Sequence, residues 1–422
     1  MTDIEYKAEL TSPLISGEVM LGIGKDSFIV KALFDVAEIR YSEVNSLKLE
    51  DYVIYVETDS GMFTFSKMGN WCQPFYDALF EHYNDAVLRS LFTKGEHLIK
   101  AEGDYRYVDG DASAMGNAPV YVYDNSVIIL PPDLGARRVP LCFVTDMVRG
   151  SFQTSLKISE NEYYIVAKLG YETQPFENAV ETQIRKLHEE TLSAVTELDP
   201  LLSAMQGSQI ARIMPRGAAT SIEALTKIAP SFVPALESKI ADTRAAESYK
   251  IFKEICDPSQ IYIGFIKNEA AETDIESNTA VIPEQALDPS EIPPELTDSI
   301  GETDTKPATD PFTIWMIAPS PDGMFAAVEF AAADSATFVY RTGGDFTSFA
   351  MRLNRALEAI DFKREVIRLG DEELRKPEYA DYYMAAKRTA ALQFIRANFL
   401  DRIIHSSTET WKNKLLELWN KQ

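Results

Sequence analysis

Several familiar signals are missing from this 422-residue chain. Its three cysteines, Cys72, Cys142 and Cys256, are far apart and odd in number, with no CxxC pair. That excludes a disulfide framework and a thiolate zinc site, and it suits a reducing compartment. The four histidines, His82, His97, His188 and His405, lack metal-ligand spacing, so neither a metal nor another cofactor is expected. No apolar run approaches the ~18–20 residues that span a bilayer. The opening MTDIEYKAELTSP has neither the basic nor the apolar part of a signal peptide, so a cytoplasmic protein is expected. Positive charge is also short, with 41 Lys and Arg against 65 Asp and Glu, for a net charge of −24. Such a balance argues against a nucleic-acid backbone or an anionic lipid surface as the main partner. The deficit is uneven, because residues 338–422 hold 15 basic and 12 acidic residues.

What is present is a repeat. Residues 67–75 read KMGNWCQPF and residues 168–176 read KLGYETQPF. Each copy follows a run of short β-like segments separated by Gly, Asp and Ser. In the first, these are SGEVMLGIG, KDSFIVKAL, AEIRYSEV, DYVIYVET and GMFTFSK; in the second, PVYVYDN, SVIILPP, RRVPLCFV, SFQTSLKIS and EYYIVAK. The period then changes from two to four. Phe75, Leu79, Tyr83 and Ala86 match Phe176, Val180, Ile184 and Leu187 at a constant offset, which predicts one amphipathic helix closing each unit. The repeat reads as a strand-to-helix corner. Gly69 and Gly170 make the turn, Pro74 and Pro175 fit the first helical turn, and Phe75 and Phe176 begin the helix's apolar stripe. The preceding Lys67 and Lys168 have no evident role at this level.

A weaker third copy follows, in which Arg341, Gly343 and Phe349 stand for Lys67, Gly69 and Phe75. Its strands would be IYIGFIK, FTIWMIA, MFAAVEF and ATFVY, fewer than in the other units, so it is either reduced or borrows strands. Between the first two lies an insertion, 269–311, with twelve acidic residues, one lysine and no aromatic, read as disordered. The segment 177–206 reads as one long helix, and 208–258 as helices broken at Pro215, Pro230 and Pro234. Further helices are expected at 363–375, 378–403 and 407–420, the last capped by Ser406 and Glu409. The apolar face of that final helix, with Trp411, Leu415, Leu418 and Trp419, must dock on this chain or on a partner.

Antiparallel strands followed by one C-terminal helix resemble the pleckstrin-homology-like (PH-like) fold, and the whole chain is similar to a class of bacterial cytosolic proteins. The expectation is therefore an α+β protein of tandem PH-like antiparallel β-barrels, each closed by a helix. Residues 8–95 form domain 1 and 116–200 domain 2; 201–258 is a helical connector, 259–362 a degenerate third unit and 363–422 C-terminal helices. The resemblance implies a binding platform for lipids, peptides or proteins and only rarely an enzyme. Lipid-binding members carry basic residues in the first hairpin loop. Here that loop is GIGKDS, with Lys25 and then Lys31, while the second unit has none, which counts against a membrane lipid.

The candidate chemistry is sparse. GIGKDS lacks the full phosphate-loop pattern and leads into a strand, so it reads as a hairpin turn. Cys72 lies near a helix start, where a thiol can be activated, but Thr173 stands at the equivalent place in the second unit. Arg137-Arg138 is a notable basic pair in an acidic region; it could grip a phosphate or carboxylate, or form strand-edge ion pairs. No catalytic residue emerges. The expected function is a non-catalytic scaffold or adaptor that binds a protein or peptide partner and makes no direct contact with nucleic acid. The alternatives are an acidic chaperone for a basic, nucleic-acid-associated protein and a peripheral lipid-headgroup binder.

Overall fold

The computed structural model describes residues 5–13, 15–267, 312–331, 336–405 and 407–420. The insertion 269–311 and the cap residue Ser406 lie outside these. The described chain is α+β, with three antiparallel sheets and twelve α-helices among the described residues.

The first sheet holds seven strands: β1 (Tyr6–Thr11), β2 (Ser16–Ile23), β3 (Ser27–Lys31), β4 (Val36–Arg40), β5 (Val44–Glu50), β6 (Val53–Thr58) and β7 (Gly61–Ser66). Their spatial order is β4-β3-β2-β1-β7-β6-β5, so the first strand lies beside the last. Helix α1 (Cys72–Ser90) follows and buries Phe75, Leu79, Tyr83, Ala86 and Val87 against the sheet's apolar residues.

The second sheet repeats this topology with β8 (Ile99–Asp109), β9 (Ala112–Val122), β10 (Ser126–Ile129), β11 (Arg137–Pro140), β12 (Asp146–Arg149), β13 (Gln153–Ser159) and β14 (Glu162–Ala167). Its order is β11-β10-β9-β8-β14-β13-β12, and α2 (Thr173–Leu198) closes it. Each sheet has two strands that the segment reading did not contain. β1 and β8 stand in the middle of their sheets, so the second sheet begins at Ile99, ahead of the expected boundary at 116. AEIRYSEV is not one strand either: β4 ends at Arg40, a 3-10 turn spans Tyr41–Glu43, and β5 begins at Val44. RRVPLCFV breaks in the same way around a turn at Leu141–Phe143.

The third sheet differs. β15 (Thr220–Ser221), β16 (Tyr262–Lys267), β17 (Phe312–Pro319), β18 (Phe325–Phe330), β19 (Ala336–Arg341) and β20 (Phe399–Ile404) lie side by side in sequence order. It therefore lacks the first-beside-last pairing of the other two. Both outer strands are borrowed, β15 from the connector and β20 from the C-terminal region. Where a single helix was expected over 378–403, the chain forms α10 (Ala380–Arg388), α11 (Ala390–Asn398) and then β20, whose pairing covers the edge of β19.

Nearly every residue of β17, β18 and β19 is buried, because helices cover both faces. One face, with Ile314, Met316 and Ala327, meets the end of α2, α3 (Ala204–Ile213), α4 (Ile222–Ile228), α5 (Phe232–Ala241), α6 (Ala246–Ile255) and α12 (Thr408–Trp419). The other, with Trp315, Ile317 and Val328, meets α7 (Phe346–Ala359), α8 (Glu365–Arg368), α10 and α11; α9 (Asp371–Leu374) lies between α8 and α10 in the chain. Trp411, Leu415, Leu418 and Trp419 of α12 thus dock on this chain's own core. The long helix expected over 177–206 ends at Leu198, and α3 starts afresh from a capping box at Ser203 and Gln206. Pro234 breaks nothing, because it lies in the first turn of α5, where its missing N–H costs little. The last helix is capped by Ser407, which accepts from the Thr410 N–H.

The corner motif gains its explanation here. Lys67 (φ +58°) and Gly69 (φ +57°) are both left-handed, as are Lys168 and Gly170 (each φ +59°). Lys67 pairs with Glu9, and Lys168 with Asp104 at 2.6 Å. Those acids lie on β1 and β8, opposite the last residues of β7 and β14, so each lysine ties the last strand to the first. Arg341 does not share this role: it lies within β19, and the third corner turns on Gly343 and Gly344 instead. No atom would crowd a Cβ at Gly69 or Gly170, so their glycine is required for backbone conformation alone. Gly69→Ala and Gly170→Ala should each destabilise the chain by about 1 kcal/mol in urea unfolding.

Candidate functional site

A cleft of about 1720 Å³ lies between the second sheet's unit and the layers around the third sheet. One wall is the second unit: the turn Leu141–Phe143, Val144 and Thr145, the β13–β14 turn at 159–161, and Ile184, Arg185, Leu187, His188 and Thr191 of α2. The opposite wall comes from α3, the 211–224 segment, α7 and α11. Its lining mixes apolar groups such as Ile184, Leu187, Met351 and Phe394 with charged ones.

A chain of ion pairs fixes these walls against each other. Arg355 of α7 donates from Nε (3.1 Å) and Nη2 (2.6 Å) to Glu162 of β14, which also accepts from the Tyr164 hydroxyl at 2.9 Å. Glu358, one turn along α7, accepts from Arg138 Nη1 at 2.7 Å. Arg137 bonds Asp109 at 3.1 Å and lies over the Tyr107 ring, 4.7 Å from its centre. Both candidate arginines are thus buried and committed inside the molecule, and the ion-pair reading of them applies. Arg138 joins sheet 2 to α7, whereas Arg137 is held within the second unit by Asp109 and the Leu134 and Ala136 carbonyls.

Burial pushes the Glu162 carboxyl up, but the Arg355 charge and hydrogen bonds outweigh it, so Glu162 titrates below its ordinary range. Asp109 goes the other way: burial, and then the nearby Glu162 charge, raise it despite Arg137 and Arg355. Cys142, beneath the cleft, has its thiol pushed well up by burial, so it remains protonated and a poor nucleophile. Cys72 is buried and raised likewise, and its thiol lies 3.2 Å from the Tyr52 carbonyl.

One constellation has no sequence signature. Thr337 Oγ1 donates to Glu329 Oε2 at 2.5 Å, accepts from Trp411 Nε1 at 2.7 Å and lies 3.0 Å from His405 Nε2. It resembles a nucleophile, base and acid, but Thr337 is wholly buried and its only proton is held by Glu329. That arrangement fastens β20 and α12 to the third sheet. Among the described residues no group of three or more His, Cys, Asp or Glu could hold a metal ion, and no helix is long and apolar enough to cross a membrane. GIGKDS is a hairpin turn, closed by Gly24 N–H to the Ser27 carbonyl at 2.8 Å, with Lys25 exposed at its tip. Lys31 pairs with Glu5 at 2.8 Å.

The first unit explains the cleft. Its counterpart surface, formed by the turn Tyr41–Glu43, the β6–β7 turn at Asp59 and the outer face of α1, is filled by α10. Met384 of α10 enters the first unit's core. Arg388 Nη2 donates to the Tyr83 hydroxyl at 2.8 Å, while Lys387 donates to Asp59 (2.9 Å) and the Ser42 carbonyl (3.2 Å). The offset that relates the two units carries Tyr83 to Ile184, Asn84 to Arg185 and Val87 to His188. Tyr83, Asn84 and Val87 are buried, the Tyr83 hydroxyl being bonded to Arg388 of α10, whereas Ile184 and His188 are half-exposed and Arg185 is exposed. The cleft lies at the corresponding place in the second unit, and among the described residues no helix fills it as α10 does in the first.

No family model matches the chain, and no curated protein matches its sequence.

Arg355→Met would strand the buried Glu162 carboxylate, while Glu358 keeps Arg138, and it should cost about 3–5 kcal/mol in denaturant unfolding. The Glu162 contribution is complete above the ordinary glutamate value of 4.5 and drains away as pH falls through its lower folded value. Glu162→Gln should therefore flatten the acid limb of the stability–pH curve below about pH 4.5.

Proposed function

We propose that this protein is a non-catalytic scaffold that binds a protein or peptide partner at its second unit. The first two units are read as PH-like modules. The reading is supported by the strand order with first strand beside last, by the closing helix, and by the corner motif they share. The observation that carries the reading is the asymmetry between them. In the first unit the surface beside the closing helix is occupied by the chain's own α10; in the second the corresponding surface is open. A surface that accepts a segment once within the molecule is suited to accepting one from outside.

The second unit's surface also continues into a smaller groove between β12 and α2, lined by Val144, Met147 and Ile184. Ile184 belongs to both the cleft and the groove, so it marks the shared floor.

A phage-displayed library of random 16-residue peptides, panned against the full chain and against Ile184→Glu, tests this reading. The expected result is a family of peptides enriched on the parent protein and lost on the variant, with an unchanged melting temperature. No enrichment, or enrichment indifferent to Ile184→Glu, would overturn it. Enrichment of basic peptides would favour the chaperone alternative, and recovery on anionic vesicles would favour the lipid one.

A further inference from the structure

The cleft's charge specifies what fills it. Of its acidic lining groups, Asp109, Glu162 and Glu181 are committed to Arg137, Arg355 and Arg149. Asp111 is the acid left over. Three arginines remain: Arg185 on α2, Arg212 on α3 and Arg352 on α7, all exposed and all lining the cleft from different helices. None forms an ion pair among the described residues. Arg352 lies over the Phe394 ring, 4.4 Å from its centre. Of the acids flanking it on α7, Glu358 pairs with Arg138, and Asp345, which feels the Arg352 charge, is committed to capping the helix through Ser348. In a chain of net charge −24, three uncommitted arginines around one cavity make an unusual concentration of positive potential.

The first unit supplies the shape of the occupant. What fills the corresponding surface there is a helix, α10, which places Met384 into the core and Lys387 and Arg388 against Asp59 and Tyr83. In that pair the platform is acidic and the helix end basic. The second unit keeps an acid at the place of Asp59, Glu160, which pairs with Lys157 of its own hairpin at 2.6 Å, and it gains a positive charge where Asn84 is replaced by Arg185. A helix with its side chains is about 10–12 Å across and rises ~1.5 Å per residue, so the cleft has room for roughly three to four turns.

We propose that the cleft receives an acidic amphipathic helix of a partner protein. Its apolar face would lie over Ile184 and Leu187, and its carboxylates would meet Arg185, Arg212 and Arg352. Arginine suits this work because its guanidinium grips a carboxylate bidentately and is weakly hydrated. Phosphoserine on such a helix presents the same anionic chemistry. This inference rests on the second unit being the partner site, and the experiment separates the two.

Peptides enriched on the parent chain would be sequenced, synthesised with Glu or with phosphoserine at the acidic positions, and titrated by fluorescence anisotropy. The inference expects acidic residues flanking apolar ones at i, i+3, i+4 spacing and a gain of helical circular dichroism on binding. A central proline should abolish binding. The triple variant Arg185→Gln, Arg212→Gln, Arg352→Gln should weaken it at least tenfold without changing the melting temperature. If it does so for one synthetic series only, the partner's anion is identified as carboxylate or phosphate. Peptides that depend on Ile184 but are neutral, basic or indifferent to the arginines would overturn the acidic helix while leaving the partner site standing. Extended, proline-tolerant peptides would assign the site to strand addition along β12 and overturn the helical occupant. Binding indifferent to Ile184 would remove both.

Discussion

The guanidinium of Arg355, held between Glu162 on the second sheet and Glu358 on its own helix, decides where α7 stands. That contact sets the α7 part of the cleft's far wall against the second unit. α7 supplies Met351 and Arg352 to the far wall, and β14 begins at the very residue Arg355 grips. A buried ion pair is poor value as a source of stability, because the cost of removing both charges from water offsets most of their attraction. Its worth here is positional. An apolar contact would tolerate sliding, whereas a charge-assisted fork bound to a carboxylate sets both distance and angle. The Arg138–Glu358 pair repeats the constraint one turn further along the same helix.

With the walls fixed, the two repeated units face different fates. Both present a 3-10 turn, a hairpin turn and the outer face of a closing helix. The first receives α10, which buries Met384 and Arg388 and covers Tyr83 completely. Burial there lowers Lys387 and raises the Tyr83 hydroxyl, and the hydrogen bonds to Asp59 and Arg388 compensate for the lost water. Among the described residues no such helix lies on the second unit, whose surface there mixes Ile184 with Arg185 and His188. The repeat is thus conservative in its inner face and divergent in its outer one.

Much of this was legible in the residues. The matched stripes of α1 and α2 follow from periodicity, though Ile184 is only half-buried, and the corner glycines follow from the repeat. β1 was readable too, since Tyr6, Ala8 and Leu10 alternate with polar residues, but charge-rich YKAELT looks like a loop beside its apolar neighbours. β20 was not readable, because its segment continues a helical pattern and becomes a strand only where the edge of β19 needs covering. The left-handed Lys67 and Lys168 carry no local sign of that conformation, and their partners Glu9 and Asp104 lie on strands that pair only in the folded sheet. The cleft had a faint signal. At the offset that superposes the units, Asn84 and Val87 become Arg185 and His188, a change from covered to exposed chemistry on one helix face. Its meaning required knowing that α10 lies on the first copy. Arg137 and Arg138 illustrate the converse, since a conspicuous pair in sequence turned out to be buried and committed.

Hydrogen–deuterium exchange on the full chain, with and without a peptide selected on it, reads the central claim most directly. Peptide binding should slow exchange in the turn at 141–145, at 159–161 and along 181–191 of α2. The matching segments of the first unit, 41–43 and 80–90, should be slow in both states because α10 already covers them. Protection that appeared in the first unit, with α2 and the 141–145 turn unchanged, would contradict it.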